Sequence, residues 1–382
     1  MRFKIHFLMV LLVLLLWSTL GMTQSTSKID GLVYADYYYN IKNHVASETD
    51  RDAFTYRRIY FTFENNITPL IKIRFRLESE SEKYGSTSKI NPFVKHAFLQ
   101  WDNLIPKHSL FLGIEETNAF KNSEELWGYR SIEKTIMDLN KISSSADMGI
   151  ALKGDITDKL HHWVTFFNGP GYSSAEIDRY KKIGYALWIT PVKGLILEGY
   201  ADYEDQNPNE PQSATVLSSA KDYTGSRGYY TTKGFIGYEQ PRYSIGAEAF
   251  WRTNEKSGIK DVIISNSQIT SSTKADVKKF GFSIFGSIIT PISKLKIFGR
   301  YDYFDPNTEN NVYTSFSNGK LTGGKDNETN LVIAGLDYIP QGNVHIMPNI
   351  IVQSYTQTGL DTDITGRITL YYKFDSGKIV VE

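Results

Sequence analysis

Side chains that could do chemistry are few in this chain, and their spacing is poor for it. Ser218 with Lys221 and Ser271 with Lys274 have the Ser-x-x-Lys spacing of a nucleophile and its base, but both lie in polar stretches without the companion motifs of such enzymes. His161 and His162 have ligand chemistry, yet neighbours on a strand face opposite ways, so the two cannot readily hold one ion. Asp361/Asp363 and Asp305-Pro306-Asn307 offer too few oxygens for a firm divalent-cation site. No His-Glu-x-x-His, Walker loop or Gly-x-Ser-x-Gly elbow is present. The chain has no Cys, which removes thiolate metal sites, disulfides and a lipid-anchored cysteine together. The sequence thus predicts no catalytic residue, no metal site and no cofactor, and directs attention to where its charges are placed.

What places them is a period of two. Ile71, Ile73, Phe75 and Leu77 point one way while Lys72, Arg74, Arg76 and Glu78 point the other, as successive strand side chains must. Near the end, Ile364, Ile368, Leu370, Tyr372 and Phe374 oppose Thr365, Arg367, Thr369, Tyr371 and Lys373. These segments run 10 to 13 residues, longer than the strands of a soluble sandwich, about 5 or 6, and suited to a tilted bilayer crossing of about 9 to 11. Seven short turns punctuate them, at Ile67-Thr68-Pro69, Ile105-Pro106-Lys107, Ile156 to Lys159, Ile189-Thr190-Pro191, Glu239-Gln240-Pro241, Ile289-Thr290-Pro291 and Ile339 to Gly342. Between them lie long polar stretches such as 205–228, 254–276 and 305–328.

Seven short turns alternating with eight longer loops make about sixteen antiparallel strands, from 31–40 to 363–374, with both termini on the short-turn side. Inside lipid a sheet must leave no free edge, so the expected fold is all-β, a closed transmembrane antiparallel barrel. At that strand number a barrel encloses water, and the charged face becomes a channel wall. Its expected lining is Arg58, Lys72, Arg74, Arg76, Glu78, Glu198, Asp202, Glu248, Arg252, Lys296, Arg300 and Arg367. A charge turned to the lipid midplane would cost about 2–4 kcal/mol, which fixes the direction. With the turn centred near Ile67, Arg58 faces Arg76 and Thr62 faces Lys72, gathering four cations on one patch. Such a patch calls either for counter-charges, from Glu64, Glu78 or a loop, or for a use in attracting anions.

The third long loop, about 117–146, breaks the period of two. Leu126, Tyr129, Ile132/Glu133 and Ile136 suggest helical spacing, and Trp127 and Tyr129 have apolar area to bury. Folded inward, it would set Glu124, Glu125, Trp127, Tyr129, Arg130, Glu133, Lys134 and Asp138 at a constriction; an outward cap or a subunit contact is the alternative.

Tyr-Arg-Arg-x-Tyr-x-x-Phe at 56–63, the Lys/Arg ladder after the first Pro turn, the loop run Trp127 to Lys134, and His161 to Gly171 with Asn168-Gly169-Pro170-Gly171 together resemble the phosphate-selective (O/P-type) porins of Gram-negative outer membranes. The resemblance implies a sixteen-stranded, trimeric, general or anion-preferring diffusion channel. Two features depart from that pattern: the wall charges are of both signs, and the chain continues past Phe374 to Ile379-Val380-Val381-Glu382 instead of stopping at an aromatic.

Residues 1–21 read as a secretory signal, with Arg2 and Lys4 before an apolar core from Phe7 to Trp17 and a small-residue site at Thr19-Leu20-Gly21. A retained anchor helix is the alternative, though the run is short for a span. Residues 22–382 form the barrel domain. The full chain has 42 Lys+Arg against 42 Asp+Glu; removing Arg2 and Lys4 leaves 40 against 42, a nearly neutral protein that argues against nucleic acid as a partner. With 22% charged residues and a mean hydropathy of −0.32, a multi-helix membrane protein is excluded. Its 14% aromatic residues exclude disorder. The expected partners are outer-membrane lipid and lipopolysaccharide, small solutes or ions, and two further copies in a homotrimer. Competing readings are a secreted carbohydrate-binding β protein and a barrel-wall hydrolase.

Overall fold

The structure, a computed structural model, describes residues 25–81, 91–172, 179–206, 227–317, 320–324, 327–377 and 379–381. The expected signal segment and the Ser218/Lys221 pair lie outside them.

Sixteen antiparallel strands close into a barrel: β1 (Ser25–Lys42), β2 (Asp52–Asn66), β3 (Ile71–Glu80), β4 (Phe93–Asp102), β5 (His108–Glu116), β6 (Ala146–Asp155), β7 (Leu160–Phe167), β8 (Lys182–Ile189), β9 (Leu195–Gln206), β10 (Arg227–Gln240), β11 (Tyr243–Ser265), β12 (Gln268–Ile289), β13 (Leu295–Asp305), β16 (Thr329–Gln341), β17 (Val344–Tyr355) and β18 (Asp363–Asp375). Each pairs with its sequence neighbours, and β18 returns to β1 through Val33↔Tyr372 and Asp36↔Thr369. A short strand β19 (Ile379–Val381) adds three further pairs to the start of β1, Ser25↔Val381 to Ser27↔Ile379. The small hairpin β14 (Ser315–Ser317) and β15 (Lys320–Thr322) stands apart from the wall. All seven expected short turns join consecutive strands on one side, and both ends of the barrel sheet lie on that side.

The outer face is apolar. Ile183, Leu187, Leu197, Ile236, Ile245, Ile284, Ile297, Val332, Ile350 and Ile368 are exposed on it, and their immediate sequence neighbours face inward. Phe374 also faces out, and its ring fills the space over Gly31 where a Cβ would stand 2.1 Å from it.

Two expectations are corrected. The stretch 254–276 is not a loop: β11 and β12 continue through it as a hairpin of 23- and 22-residue strands. Asn266 and Ser267, both in the left-handed region at φ 52° and 59°, turn it as a primed two-residue turn, the type whose twist matches paired strands. Its inner surface is covered by the next long loop. Ile259 bridges Tyr313, and Ile259, Val262 and Ile269 pack with Phe316 and Leu321. The cue is the run Val262-Ile263-Ile264, apolar residues that a solvated loop has no reason to carry.

The register of β2 with β3 also differs. Arg58 pairs with Glu80 and Thr62 with Arg76, because the turn centres two residues later than Ile67 and so shifts every partner by four. An even shift keeps each side chain on its face but exchanges its neighbour. Arg58 therefore meets Glu78 and Glu80 at 3.4 and 3.1 Å, and Arg74 meets Glu64 at 2.6 Å. Of the two readings of the four-cation patch, counter-charge describes Arg58, Arg74 and Lys72, the last paired with Asp102 at 2.7 Å.

Candidate functional site: the lumen and its inward loop

Residues between Glu116 and Ala146 cross the barrel interior. Helix α1 (Lys121–Trp127) ends at Gly128, whose left-handed φ of 67° closes it, and a second turn of helix, α2 (Ile136–Leu139), follows. The helical expectation therefore holds only at its ends: Leu126 lies in α1 and Ile136 in α2, while Tyr129 and Ile132 lie in the non-helical stretch between them, because Gly128 ends the first helix.

The loop grips two opposing parts of the wall. Ala119, Phe120, Ile136, Met137 and Ile142 pack with Phe98, Phe111, Trp163, Phe167, Tyr200 and Phe250 of β4 to β11. Leu126, Trp127, Tyr129 and Ile132 pack with Phe235, Phe285, Phe298, Ile333, Met347 and Ile351 of β10 to β17. Trp127, 2% exposed, meets Phe285 and Phe298 edge-on at 5.6 and 6.1 Å, and Tyr129 stacks on Phe298 at 4.2 Å. Trp127 and Tyr129 are thus anchors in the wall and do not edge the opening.

Inward arginines bind the loop's backbone. Arg57 and Arg367 donate to the Ile132 carbonyl, Arg300 to that of Lys134, and Arg252 to that of Ile142 (2.6 Å). Asn122 donates to Glu198, and the Tyr129 hydroxyl to Asp337 at 3.3 Å. Arg57 is the extra residue of a β-bulge opposite Tyr34/Ala35, which turns it inward beside Arg58; Lys95 is the extra residue of a second bulge opposite Arg76/Leu77. Strict alternation assigns both to lipid, and the signal that could have found them is the cost of a charge there.

This loop sorts the expected lining residues. Glu198, Asp202, Glu248, Arg252 and Arg300 face inward but are buried under it or paired along the wall: Glu198 with Lys233 at 2.6 Å, Asp202 with Lys182 at 3.1 Å, Arg300 with Asp302. Arg58 and Glu78 are likewise buried, in an ion-pair cluster with Lys95. Lys72, Arg74, Arg76, Lys296 and Arg367 remain partly exposed on the inner face, Lys72 by 42% of its side chain. Arg76 donates to Thr62 Oγ1 (2.8 Å) and lies over the Tyr60 ring, with no carboxylate in ion-pair contact among the described residues. On the loop, Glu124 and Asp138 both pair with Arg130; Glu133, Lys134 and Asp138 are half-buried, while Glu125 is exposed. Between β3, β4 and the loop a polar cavity of about 160 Å³ is lined by Arg76, Lys95, His96, Glu116, Lys121 and Arg130.

Burial alone would raise the Asp138 and Glu133 carboxyls, but Arg130 with Lys134, and Arg57 with Arg367, outweigh it and hold both below the usual carboxylate range. A carboxylate lowered in the folded state stabilises above its unfolded value, about 4, and loses that contribution only as pH falls through the lowered one. The ion pairs that Asp138 and Glu133 make should therefore persist from neutral pH to about 4 and weaken only in stronger acid, as read from the fluorescence difference between the parent and Trp127→Phe, which reports on the docked loop. A transition at pH 5 to 6 would place the loop's hold elsewhere.

The other chemical candidates are occupied structurally. Asp363 accepts from the Tyr355 hydroxyl at 2.6 Å and contacts His44 Nδ1 at 2.8 Å, while Asp361 pairs with Lys42. Asn307 uses its amide to tie the carbonyls of Val312 and Gly323. Ser271 and Lys274 stand three residues apart on β12, hence on opposite faces. His161 contacts Asp155 and Thr190, while His162 faces the outside of the wall. No group of three or more metal-ligating side chains occurs among the described residues.

No protein-family model matches the chain, and no curated protein matches it in sequence. Solved structures do. An anion-selective porin from Comamonas acidovorans is 11% identical, with a TM-score of 0.62 over 92% of this chain and 100% of that one. The outer-membrane channel DcaP of Acinetobacter baumannii is 10% identical, with a TM-score of 0.61 over 93% and 98%. OmpT of Vibrio cholerae, an outer-membrane protein, is 12% identical, with a TM-score of 0.59 over 94% and 100%. At these identities the likeness concerns the fold, and the fold is the closed sixteen-stranded barrel of outer-membrane porins.

Proposed function

We propose that the chain is a porin of a Gram-negative outer membrane, exported by residues 1–21, that lets small polar solutes and ions diffuse passively, with a preference for anions. The observation that carries this reading is the pairing of an apolar outer face with a charged inner one, narrowed by a loop that lies inside the wall. Both termini then face the periplasm, and the longer connections face outward. The anion preference rests on Arg76, which has no carboxylate in ion-pair contact among the described residues, flanked by Lys72 and Arg74, which are partly exposed at the lumen although Asp102 and Glu64 pair with them. Homotrimeric assembly and contact with lipopolysaccharide belong to the same reading, and one of the structures similar to this chain is a trimer form of OmpT.

Planar-bilayer recording tests it. Purified protein should give stepwise conductance, and Arg74→Glu with Arg76→Glu should move the zero-current potential in a KCl gradient toward cation preference. Arg74→Glu places two carboxylates opposite each other at Glu64, so Arg76→Glu alone, shifting in the same direction, separates selectivity from local repulsion. An unchanged potential in both variants would remove β3 from the conducting wall.

A further inference from the structure

His161 and His162 cannot share an ion, but β6 brings a different histidine to His162. His108 opens β5, Gly154 lies beside it on β6, and His162 lies beside Gly154 on β7, all three in register. They occupy the outer face at the short-turn rim. Gly154 makes the encounter possible: a Cβ there would fall 2.4 Å from His108 Cδ2 and 2.5 Å from its Cγ, so only glycine lets the His108 ring lie across β6. The two Nε2 atoms stand 2.8 Å apart with the rings at 76°.

The far nitrogen of His108 decides the chemistry. Its Nδ1 is 2.7 Å from the Pro106 carbonyl, an oxygen that can only accept, so the proton is on Nδ1 and Nε2 presents a lone pair toward His162. A backbone carbonyl on the remote ring nitrogen is also the support that orients a metal-ligating imidazole. With a lone pair on His108 Nε2, the contact between the rings is a hydrogen bond donated by His162 Nε2–H; His162 Nδ1 has no partner among the described residues and can take that proton when an ion replaces the bond.

We propose that His108 and His162 form a two-imidazole site for a divalent transition metal, with Cu²⁺ the favoured ion and solvent completing its shell. Two nitrogens at about 2.0 Å from a metal and at right angles to one another are about 2.8 Å apart, whereas a tetrahedral zinc pair needs about 3.3 Å. The 2.8 Å hydrogen-bonded separation already matches the tetragonal spacing, so the rings need not part to take the ion, and Cu²⁺ also binds nitrogen sites most tightly of its row. Bound there, the ion ties β5, β6 and β7 together at the rim. His161, on the inner face with Asp155, takes no part.

The test uses the full chain, free of any histidine tag, in detergent, titrated with CuCl₂ and read by calorimetry and electron paramagnetic resonance. One Cu²⁺ with superhyperfine splitting from two equatorial nitrogens is expected. His108→Ala and His162→Ala should each weaken binding at least tenfold, and Gly154→Ala should do the same by displacing the His108 ring. His44→Ala, at the opposite end of the barrel, should bind as the parent does. Heat-modifiable electrophoretic mobility verifies that each variant is a folded barrel. A spectrum with one or no nitrogen ligand, or folded His108 and His162 variants that titrate like the parent, would overturn the proposal.

Discussion

Removing residues 122–138 should raise single-channel conductance at least about twofold, since flow through a narrow aqueous path follows its open cross-section. The segment holds most of α1, including Trp127, together with Arg130 and most of α2, and it stands between wall patches on opposite sides of the lumen. Its loss leaves Phe285, Phe298 and Phe250 facing water, so the shortened barrel should also unfold at a lower temperature. The backbone pairing of the sixteen strands does not pass through the loop, so the variant should remain a barrel by heat-modifiable mobility. Conductance equal to the parent's would mean that the conducting path bypasses this segment.

Trp127→Ala should have the largest effect of any single substitution. A buried Trp cut to Ala costs about 3–5 kcal/mol through lost contact and the cavity left behind. Here it removes contacts with Phe285, Phe298 and Tyr129 and a hydrogen bond from Nε1 to the Glu133 carbonyl at 3.0 Å. The loss falls on the docking of the loop, so the expected signature is a noisy open channel that flickers between the parent's conductance and a larger one. Trp127→Phe keeps the aromatic packing without the donor and should flicker less. Steady parent-like current from Trp127→Ala would show that the arginine bonds to Ile132, Lys134 and Ile142 hold the loop unaided.

The wall was readable in the sequence because its physics is local: each strand carries its own record of which side is oily, and Pro marks the ends. Face assignments at Lys72, Glu198, Arg300 and Arg367 follow from that record alone. What alternation could not supply were quantities set between strands. The β2/β3 register depends on the turn's centre, and Arg57 and Lys95 face inward only because each strand gains a residue there. Among the lining residues, burial of Glu248 or Arg300 depends on where a loop more than a hundred residues away comes to rest. The inward aromatics Phe250, Phe285 and Phe298, which receive that loop, interrupt the charged face at places a channel wall would not need them, and this was the available cue. The long hairpin was hidden because Lys, Ser and Thr along β11 and β12 imitate a solvated loop, and Val262-Ile263-Ile264 was the only counter-signal.

The seam where β19 and β18 meet β1 has a topological consequence. Ser25 and Val381 are lateral neighbours, so the ribbon comes back to its own starting edge. The cylinder therefore has no privileged first stave: its shape is defined by which ribbons lie side by side, and a connection on the roomier rim that does not fold inside is an equivalent place for the polypeptide to begin and finish.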